Sequence, residues 1–402
     1  MKRPTPMHLV PLLLGAGLTA GSALGSPGGF VPYQHELSGR TSEDTAFAEP
    51  GDWGPYGVGV TQLLVPASHQ DEPLVTLLWY PADVDPTDSP YVYIDTPEFA
   101  GPMFGTAVED APVWNERDPF PAVVFSHGNG GLSYQSIFLT EHLASHGFVV
   151  ISCDHPGNTM FDYNPATMVT GAITRPLDVS ALIDELFRLN REPNGRFEDM
   201  IATDRIGMTG HSFGGYTTLA IAGAQLNFNR PEMRCAAGDA DACLLVRTAR
   251  EVGVWDRLLD LSDRRVKAAA PLAPYGWEPF RAEGLSHIDI PIQIHGGGLD
   301  DTCPMDTEVE PVWVYAQEPK AILEIFDAGH YAYSDMCMAM PDFDECYPPY
   351  IDMDLAHEII NIWVTSHFKV YLAGDSRYES YLTAEYADGW ASEVSWREAL
   401  NL

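Results

Sequence analysis

The chain has 402 residues, 45% of them hydrophobic, which is enough to bury one large core. It carries 57 acidic and 22 basic residues, so its formal net charge is −35. Such a surface repels nucleic acids and anionic membranes, which excludes DNA and RNA as expected partners. Nothing in the composition indicates the oligomeric state.

The first 25 residues have the pattern of a signal peptide. A positively charged start precedes an apolar run that ends near Leu18, and small residues follow it. The run contains Pro11 and is too short to span a bilayer comfortably, so a retained anchor is the lesser alternative. We therefore predict a secreted or periplasmic protein, with residues 26–51 as a flexible leader. No later segment approaches about 20 uninterrupted apolar residues, so no stable membrane span is expected.

Strand-like apolar runs alternate with helical patterns along residues 52–372, the predicted catalytic domain. This alternation is typical of the α/β class, in which helices cover both faces of a mostly parallel sheet. Strands are predicted at residues 57–64, 74–80, 122–126, 149–153, 206–209, 266–272, 292–295 and 321–326. Helices are predicted from Ser133, as the N-cap, to residue 146, and at 178–190, 216–222 and 355–372. In such sheets the ligand binds beyond the carboxyl ends of the strands.

Residues 210–215 read GHSFGG and stand between a predicted strand and a predicted helix. This is the G-x-S-x-G nucleophile elbow in the strand-turn-helix context that it requires. The turn holds the serine in a strained conformation, so the residues two positions away must lack side chains, as Gly210 and Gly214 do. Ser212 is therefore the predicted nucleophile, and the amide of Phe213 is predicted to donate to a developing oxyanion.

A second oxyanion donor is expected from the loop that follows the strand at 122–126. This loop reads HGNGG over residues 127–131, and its glycines let the backbone approach a substrate closely. The amide of Asn129 is the predicted donor. His127 is assigned a structural role, that of holding the loop by hydrogen bonds. The alternative is a glycine-rich turn that takes no part in catalysis.

The serine needs a base, and the base needs a carboxylate that fixes its tautomer. In this fold the acid comes before the histidine along the chain. His330 follows the last predicted core strand in a loop where a glycine precedes it, and it is the predicted base. Asp300 is preferred over Asp301 as the acid because of the D-x-x-x-P pattern that it begins, and Asp301 would then be a loop-stabilising carboxylate. This chemistry needs no cofactor and no metal.

Six cysteines lie beyond the predicted signal peptide, and an exported chain permits disulfides. Cys235 and Cys243 are close enough along the chain to close a short loop. Two of the three cysteines at 303, 337 and 346 are expected to pair beside the site. Cys153 ends a predicted strand and is expected to be a core residue.

Metal binding has little support in the sequence. No cysteine and histidine pattern has zinc spacing. His142 and His146 stand four residues apart on a predicted helix and could share a metal, but a partly exposed helix face is the preferred interpretation.

Two segments stand outside the repeating pattern. Residues 225–265 form an insertion that is interpreted either as a cap over the pocket or as a plain surface excursion. Residues 373–402 form an acidic tail rich in Tyr and Trp, which is expected to pack on the surface without a chemical role.

Several motifs together resemble the platelet-activating factor acetylhydrolases (the plasma and intracellular type II enzymes) and their bacterial relatives. The most specific are FSHGNGG at 125–131, LASHGF at 143–148 and GHSFGG at 210–215. The resemblance spans roughly residues 52–370 and implies an α/β-hydrolase fold with a serine triad. It departs at the acid, because that family tends to place its aspartate after the strand that follows the elbow helix, where residues 270–274 read APLAP. Asp300 instead has the position found in bacterial cutinase-like polyester hydrolases and dienelactone-hydrolase-like proteins.

The sequence therefore predicts a serine carboxylic ester hydrolase that acts on short-acyl or lipid esters of the platelet-activating factor kind. A cutinase-like hydrolase of polyesters or long-chain esters is the alternative, and an open, aromatic-lined groove would favour it. An inactive binding protein on the same scaffold would lack Ser212, His330 or a loop glycine, yet all are present. Dienelactone hydrolases proper use a cysteine nucleophile, so Ser212 argues against that activity.

Overall fold

The central element of the protein is a ten-stranded sheet. The computed structural model describes residues 47–96, 99, 101–115 and 118–400, so the predicted signal peptide and most of the predicted leader lie outside the described residues. The strands of the described residues are β1 (Gly57–Val65), β2 (Leu74–Ala82), β3 (Val92–Ile94), β4 (Met103–Phe104), β5 (Val108–Glu109), β6 (Phe120–Ser126), β7 (Val149–Cys153), β8 (Ile201–His211), β9 (Leu226–Asn227), β10 (Leu258–Leu259), β11 (Val266–Leu272), β12 (Ile292–Gly297), β13 (Lys320–Ile325) and β14 (Val394–Ala399). Outside the central sheet, β3 pairs with β4 and β9 pairs with β10.

The helices connect the strands and cover both faces of the sheet. They are α1 (Ile137–Ser145), α2 (Pro165–Arg191), α3 (Phe213–Ile221), α4 (Asn229–Ala236), α5 (Ala240–Glu251), α6 (Trp277–Leu285), α7 (Glu310–Tyr315), α8 (Met336–Ala339), α9 (Met353–Tyr371) and α10 (Ala384–Ala387). Short 3-10 turns add to these, among them His330–Tyr333.

The sheet is mostly parallel, as predicted. Its order is β14-β13-β12-β11-β8-β6-β7-β2-β1-β5. Neighbours from β13 to β7 in this order run parallel, and so do β1 and β5. The antiparallel pairs are β14 with β13, β2 with β7 and β1 with β2. The carboxyl ends of the parallel strands therefore meet at one edge, where a ligand is expected to bind.

Strand β6 shows why continuous apolar runs form the centre of this sheet. All seven of its residues are buried. Val123 and Phe125 pack with Leu143 of α1 and Trp363 of α9, whereas Ala122 and Val124 pack with Leu182 of α2 on the opposite face. Because both faces are covered, the strand needs no polar alternation. Full burial of each valine contributes about 1.5–3 kcal/mol.

Helix α1 begins later than the sequence predicted. Ser133 was expected to cap it, but the helix begins at Ile137, and its N-cap residue Ser136 makes no side-chain capping bond. A distant residue replaces the cap, because a carboxylate oxygen of Asp335 accepts from the Phe138 amide at 3.2 Å. The Ser133 amide instead donates to Asp154, at 2.7 Å.

Helix α2 is much longer than the predicted segment at 178–190. It has 27 residues, and Asn164 caps its N-terminus by accepting from the Ala166 amide. Pro165 occupies the first helical position, which suits a residue without an N–H group. The amino-terminal half of the helix contacts the elbow region, since the Tyr216 hydroxyl of α3 donates to the Ala172 carbonyl at 2.6 Å.

The insertion at 225–265 contains α4 and α5, which the Cys235–Cys243 disulfide joins. Val246 and Ala249 of α5 belong to the same apolar cluster as Phe213 and Tyr216, and α5 packs against α2. Both interpretations of the insertion, a cap over the pocket and a plain surface excursion, stay open.

The C-terminal stretch contributes to the sheet. β14 pairs antiparallel with β13, so the sheet extends into residues that the sequence assigned to a surface tail. The ring of Trp363 in α9 lies 6.2 Å from the rings of both Trp390 and Trp396, which belong to this stretch. Within the described part of the chain, no helix is both long enough and apolar enough to cross a membrane.

Candidate active site

Ser212 lies at the turn between β8 and α3, with backbone φ of 60° and ψ of −115°. A non-glycine residue at positive φ is strained, and the surrounding structure must hold it there. The Ser212 amide donates to the Leu272 carbonyl of β11 at 2.9 Å, which ties the turn to the neighbouring strand. A Cβ atom on Gly214 would lie 1.8 Å from the Ser126 carbonyl oxygen, so only glycine fits at that position.

His330 and Asp300 lie beside Ser212. The Nε2 atom of His330 is 2.9 Å from the Ser212 Oγ, and its Nδ1 atom is 2.7 Å from Oδ2 of Asp300. With the proton on Nδ1, the imidazole donates to the carboxylate and accepts from the serine hydroxyl. The three residues follow β8, β12 and β13 at the carboxyl edge of the sheet. His330 and Asp300 are buried.

The structure brings Asp300 to His330 and leaves Asp301 away from it. The second oxygen of Asp300 accepts from the amides of Thr302 and Cys303, at 2.7 and 2.8 Å. Asp301 is exposed to solvent. The two adjacent carboxylates therefore face different environments, and Asp300 has the position that the sequence preferred for the acid.

The two predicted oxyanion donors flank Ser212. Phe213 is the first residue of α3, so its amide has no acceptor within the helix. Across the turn, a Cβ atom on Gly128 would be 3.4 Å from the Ser212 Cβ, which places the 127–131 loop against the serine. The Gly128 amide donates to the Gln135 side chain, and the Gly130 amide donates to the Asn158 carbonyl. The Gly131 amide donates to the Gly128 carbonyl. Among residues 128–131, all of which the structure describes, the Asn129 amide alone has no protein acceptor.

Gln135 joins this loop to the elbow. Its Oε1 atom accepts from the Gly128 amide and its Nε2 atom lies 2.9 Å from Nδ1 of His211. Burial, together with the neighbouring His330, holds the pKa of His211 well below its usual range. His211 is therefore neutral, and Nδ1 accepts from the Gln135 amide group. Sequence reasoning missed Gln135 because a lone glutamine carries no motif signal.

Glu345 is a second carboxylate near His330 that sequence reasoning missed. Its Oε2 atom accepts from the Tyr331 amide at 2.8 Å. Burial raises the pKa of Glu345. The next residue, Cys346, forms a disulfide with Cys337, so a covalent loop holds Glu345 against the histidine turn. Cys153 and Cys303 are buried free thiols.

His127 has the structural position that the sequence assigned to it. Its Nδ1–H donates to the Gly128 carbonyl at 2.7 Å, and its Nε2 accepts from the His155 amide at 3.0 Å. Burial, reinforced by Arg175, lowers the pKa of His127 well below its usual range. Arg175 of α2 lies under the same loop and was not found from the sequence, because its contacts are distant along the chain.

The histidine pair on α1 contacts the chain's own backbone. His142 and His146 lie 2.8 and 2.7 Å from the carbonyl oxygens of Pro50 and Asp52. Burial lowers the pKa of His142 to about 4. Across the described residues, no group of three or more His, Cys, Asp or Glu side chains could hold a metal ion.

A mostly parallel sheet with a strained serine elbow and a histidine and aspartate on the following strand ends defines the α/β-hydrolase class of protein. The chain belongs to the alpha/beta hydrolase family, which residues 123–343 match.

Curated relatives include several cutinases from Thermobifida. Cutinase 2 of Thermobifida cellulosilytica is 24% identical over 281 residues, which are 69% of this chain and 79% of that protein. Cutinase cut1 of Thermobifida fusca is also 24% identical, and the alignment covers 69% of this chain and 65% of that protein. Cutinase est1 of Thermobifida alba is 23% identical, with 69% and 70% covered. The homology to these cutinases is distant.

Proposed function

We propose that the protein is a serine carboxylic ester hydrolase in which Ser212 is the nucleophile, His330 the base and Asp300 the acid. The observation that carries this proposal is the continuous hydrogen-bonded chain from Asp300 through His330 to Ser212. An inactive scaffold would have no need to keep a serine at positive φ within 2.9 Å of a histidine nitrogen.

The proposed reaction passes through an acyl-enzyme. His330 takes the hydroxyl proton at Nε2 while Oγ of Ser212 attacks the ester carbonyl. The oxyanion receives hydrogen bonds from the amides of Phe213 and Asn129. The tetrahedral adduct collapses, the C–O bond to the alcohol breaks, and His330 returns the proton to the leaving oxygen. A water that His330 deprotonates then attacks the acyl-enzyme. The bond between Oγ of Ser212 and the acyl carbon breaks, His330 returns the proton to Oγ, and the carboxylic acid leaves.

The preferred substrate class is that of polyesters and longer acyl esters. The similar proteins are named cutinases, and exposed aromatic side chains lie in the segment that contacts the donor loop, residues 127–131. The Tyr163 hydroxyl accepts from the Asn129 side chain at 3.4 Å, and Phe161, two residues earlier along the chain, exposes 59% of its surface. Exposed rings in this segment would offer an apolar platform for a chain that extends past the reacting ester.

Short-acyl lipid esters of the platelet-activating factor kind are the second candidate. The support for them is the motif resemblance at 125–131, 143–148 and 210–215. The acid position weighs against them, because the stretch after β11 has no aspartate and Asp300 after β12 is the residue that contacts His330.

We further propose that the protein is exported. The two disulfides, Cys235–Cys243 and Cys337–Cys346, support this because structural disulfides persist in oxidising compartments. The predicted signal peptide lies outside the described residues. Western analysis of culture medium and cell fractions, with and without residues 1–25, tests it. Medium or periplasmic protein that disappears on deletion is expected, and cytoplasmic protein in both cases would overturn it.

The central test is hydrolysis of p-nitrophenyl esters from acetate to palmitate, beside polyester nanoparticles and 2-acetyl phospholipid. Ser212→Ala is compared with Ser392→Ala, an exposed serine that serves as the matched control. Activity that Ser212→Ala alone removes is expected. Turnover of long esters and polyester favours the cutinase-like substrate class, and turnover confined to acetyl esters favours the second candidate. Folded wild-type protein that hydrolyses no ester would overturn the proposal.

A further inference from the structure

A buried arginine lies directly beneath the proposed oxyanion hole. Arg175 of α2 is 1% exposed. Its Nη1 donates to the His127 carbonyl at 2.5 Å, and its Nη2 donates to the Gly128 carbonyl at 3.0 Å. The guanidinium carbon also lies 4.6 Å from the centre of the Phe213 ring. One cation therefore contacts both segments that would supply oxyanion donors.

The contact with Gly128 has a direct geometric consequence for Asn129. The Gly128 carbonyl and the Asn129 N–H belong to the same peptide unit, which is planar and normally trans, so the two groups point in opposite directions. Arg175 and the His127 Nδ1–H both donate to this carbonyl, at 3.0 and 2.7 Å. Because these donors hold the Gly128 carbonyl in place, the Asn129 N–H of the same peptide is held in the opposite direction.

Asn158 holds the same loop from a second side. Arg175 Nη2 donates to Oδ1 of Asn158 at 2.5 Å, and Nδ2 of Asn158 donates to Oδ1 of Asn129 at 2.8 Å. The Asn158 carbonyl accepts from the Gly130 amide at 3.1 Å. Asn129, which would supply the donor, is thus held through the peptide before it, its side chain and the peptide that follows it.

A chain of hydrogen bonds connects Arg175 to the buried carboxylate of Asp178. Nη1 of Arg175 lies 3.3 Å from Oγ of Ser126, and this hydroxyl lies 2.8 Å from Nε2 of His155. Nδ1 of His155 lies 2.7 Å from Asp178, which His69 also contacts at 2.7 Å. Burial lowers the pKa of His155 to about 4, so the ring is neutral, donates to Asp178 and accepts from Ser126.

This chain repeats the Ser-His-Asp order of the candidate active site, but it has no access to substrate. Ser126, His155 and Asp178 are at most 2% exposed. Burial opposes ionisation of Asp178, yet the hydrogen bonds from His155 and His69 outweigh it and lower its pKa. The result is a buried carboxylate three positions along α2 from the buried guanidinium, where its charge partly balances the arginine.

We propose that Arg175 is a positioning residue for ester hydrolysis: with Asn158, it orients the Gly128–Asn129 peptide so that the Asn129 amide faces the oxyanion. The inference rests on the proposed function. The oxyanion needs this donor only as charge develops in the tetrahedral adduct, so the arginine affects the transition state and not binding of the planar ester.

The test measures kcat and KM for one p-nitrophenyl ester, with the affinities of a boronic acid and of an unreactive amide analogue of the ester. The variants are Arg175→Lys, Arg175→Met and Asn158→Ala. The control is Leu186→Ala, which removes a buried side chain from the same helix away from the loop. We expect Arg175→Met to lower kcat by about 30-fold or more with KM nearly unchanged, since loss of one oxyanion donor costs about 100- to 1,000-fold.

The remaining readouts separate positioning from simple destabilisation. In Arg175→Met, boronate affinity should fall by a similar factor, while the affinity for the planar amide analogue stays constant. Arg175→Lys should retain part of kcat, and Asn158→Ala should lower kcat several-fold. Two results would overturn the inference. One is a loss of kcat in Leu186→Ala as large as that in Arg175→Met, and the other is full kcat in both Arg175→Met and Asn158→Ala. If Arg175→Met does not fold, the results for Arg175→Lys and Asn158→Ala decide. Failure of the proposed function is separate, because wild-type protein would then show no ester turnover at all.

Discussion

Oδ2 of Asp300 lies 2.7 Å from Nδ1 of His330, while Oδ1 of the same carboxylate accepts from two backbone amides. Both oxygens are therefore engaged in fixed directions, and the imidazole is held with its proton on Nδ1 and Nε2 free to accept from Ser212. The neighbouring carboxylate of Asp301 is exposed. The adjacent pair offers a matched comparison within one loop.

Asp300→Asn should lower kcat by about 10³- to 10⁴-fold, because an amide at this place can donate to Nδ1 and favours the wrong tautomer. Asp301→Asn should stay within about threefold of wild type, as expected for an exposed site. Steady-state kinetics with a p-nitrophenyl ester measures both. A larger loss in Asp301→Asn than in Asp300→Asn would reverse the assignment of the acid.

The elbow gives a second prediction. A Cβ atom on Gly214 would clash with the Ser126 carbonyl oxygen at 1.8 Å, whereas a Cβ atom on Gly389 would meet nothing within 4 Å. Gly214→Ala should therefore displace the elbow from the oxyanion loop, with a loss of roughly 3 kcal/mol or more in stability and nearly all activity. Gly389→Ala should change the free energy of unfolding by at most about 0.5 kcal/mol. Urea unfolding and esterase assays check both variants, and an active, stable Gly214→Ala protein would contradict the structure.

The centre of the fold could be predicted because its strands bury both faces. β7 and β11 have the residue bounds that the apolar runs predicted, and β6, β12 and β13 differ from the prediction by one or two residues at an end. Short connections and glycine patterns also led to Ser212, Asp300 and His330, since each follows a strand at the same edge.

Contacts between distant segments could not be predicted from local pattern. Arg175 bonds to carbonyls 47 and 48 residues away, and Asp335 takes the cap position of a helix that begins about 200 residues before it. No spacing rule links such residues, so helix α1 appeared to need Ser133 as its cap. The amino-terminal half of α2 was missed for a similar reason, because its partners are the elbow helix and the donor loop.

Asp335 makes stability depend on pH. Burial raises its pKa to about 7. A folded-state pKa above the unfolded value of about 3.9 means that the native state binds the extra proton between these pH values. The contribution of Asp335 to stability is thus fully present below pH 4 and is lost as pH rises to about 7, by up to about 4 kcal/mol at about 1.4 kcal/mol per unit.

Asp335→Asn isolates this contribution, because the amide oxygen can still accept from Phe138 and carries no charge. The variant should gain stability relative to wild type on going from pH 5 to pH 8, and Glu141, which raises the pKa of Asp335 further, remains in both proteins. Urea unfolding at a series of pH values measures the difference. Parallel pH profiles for the two proteins would show that Asp335 does not titrate in this range.

The two disulfides should differ in their effect on catalysis. They close loops of similar length, with sequence separations of 8 and 9, so removal of either should cost up to about 3 kcal/mol. Only Cys337–Cys346 holds Glu345 against the turn that carries His330. Paired Cys→Ser variants should therefore both unfold earlier in urea, but only the 337/346 pair should lower kcat, by several-fold. Equal kcat values for the two double variants would contradict an effect of the Cys337–Cys346 disulfide on the turn that carries His330.

The exposed aromatic residues Phe161 and Tyr163 provide the test of substrate class. Tyr163 contacts the donor loop through Asn129, and Phe161, two residues before Tyr163 along the chain, exposes 59% of its surface. Phe161→Ala removes apolar area that a long acyl or polyester chain would cover but an acetyl group would not reach. At about 25 cal/mol per Å², a ring contact of some 50 Å² corresponds to roughly 1 kcal/mol, or about fivefold in kcat/KM.

We therefore expect Phe161→Ala to lower kcat/KM about fivefold for p-nitrophenyl palmitate and for polyester nanoparticles, with p-nitrophenyl acetate unchanged. Leu64→Ala serves as the control, because Leu64 is 65% exposed on β1 and has no place in the candidate site. A uniform loss over all esters would mean that Phe161 supports the donor loop and not the chain. No loss on any ester would remove this ring from the binding surface and leave the short-acyl candidate as the better account.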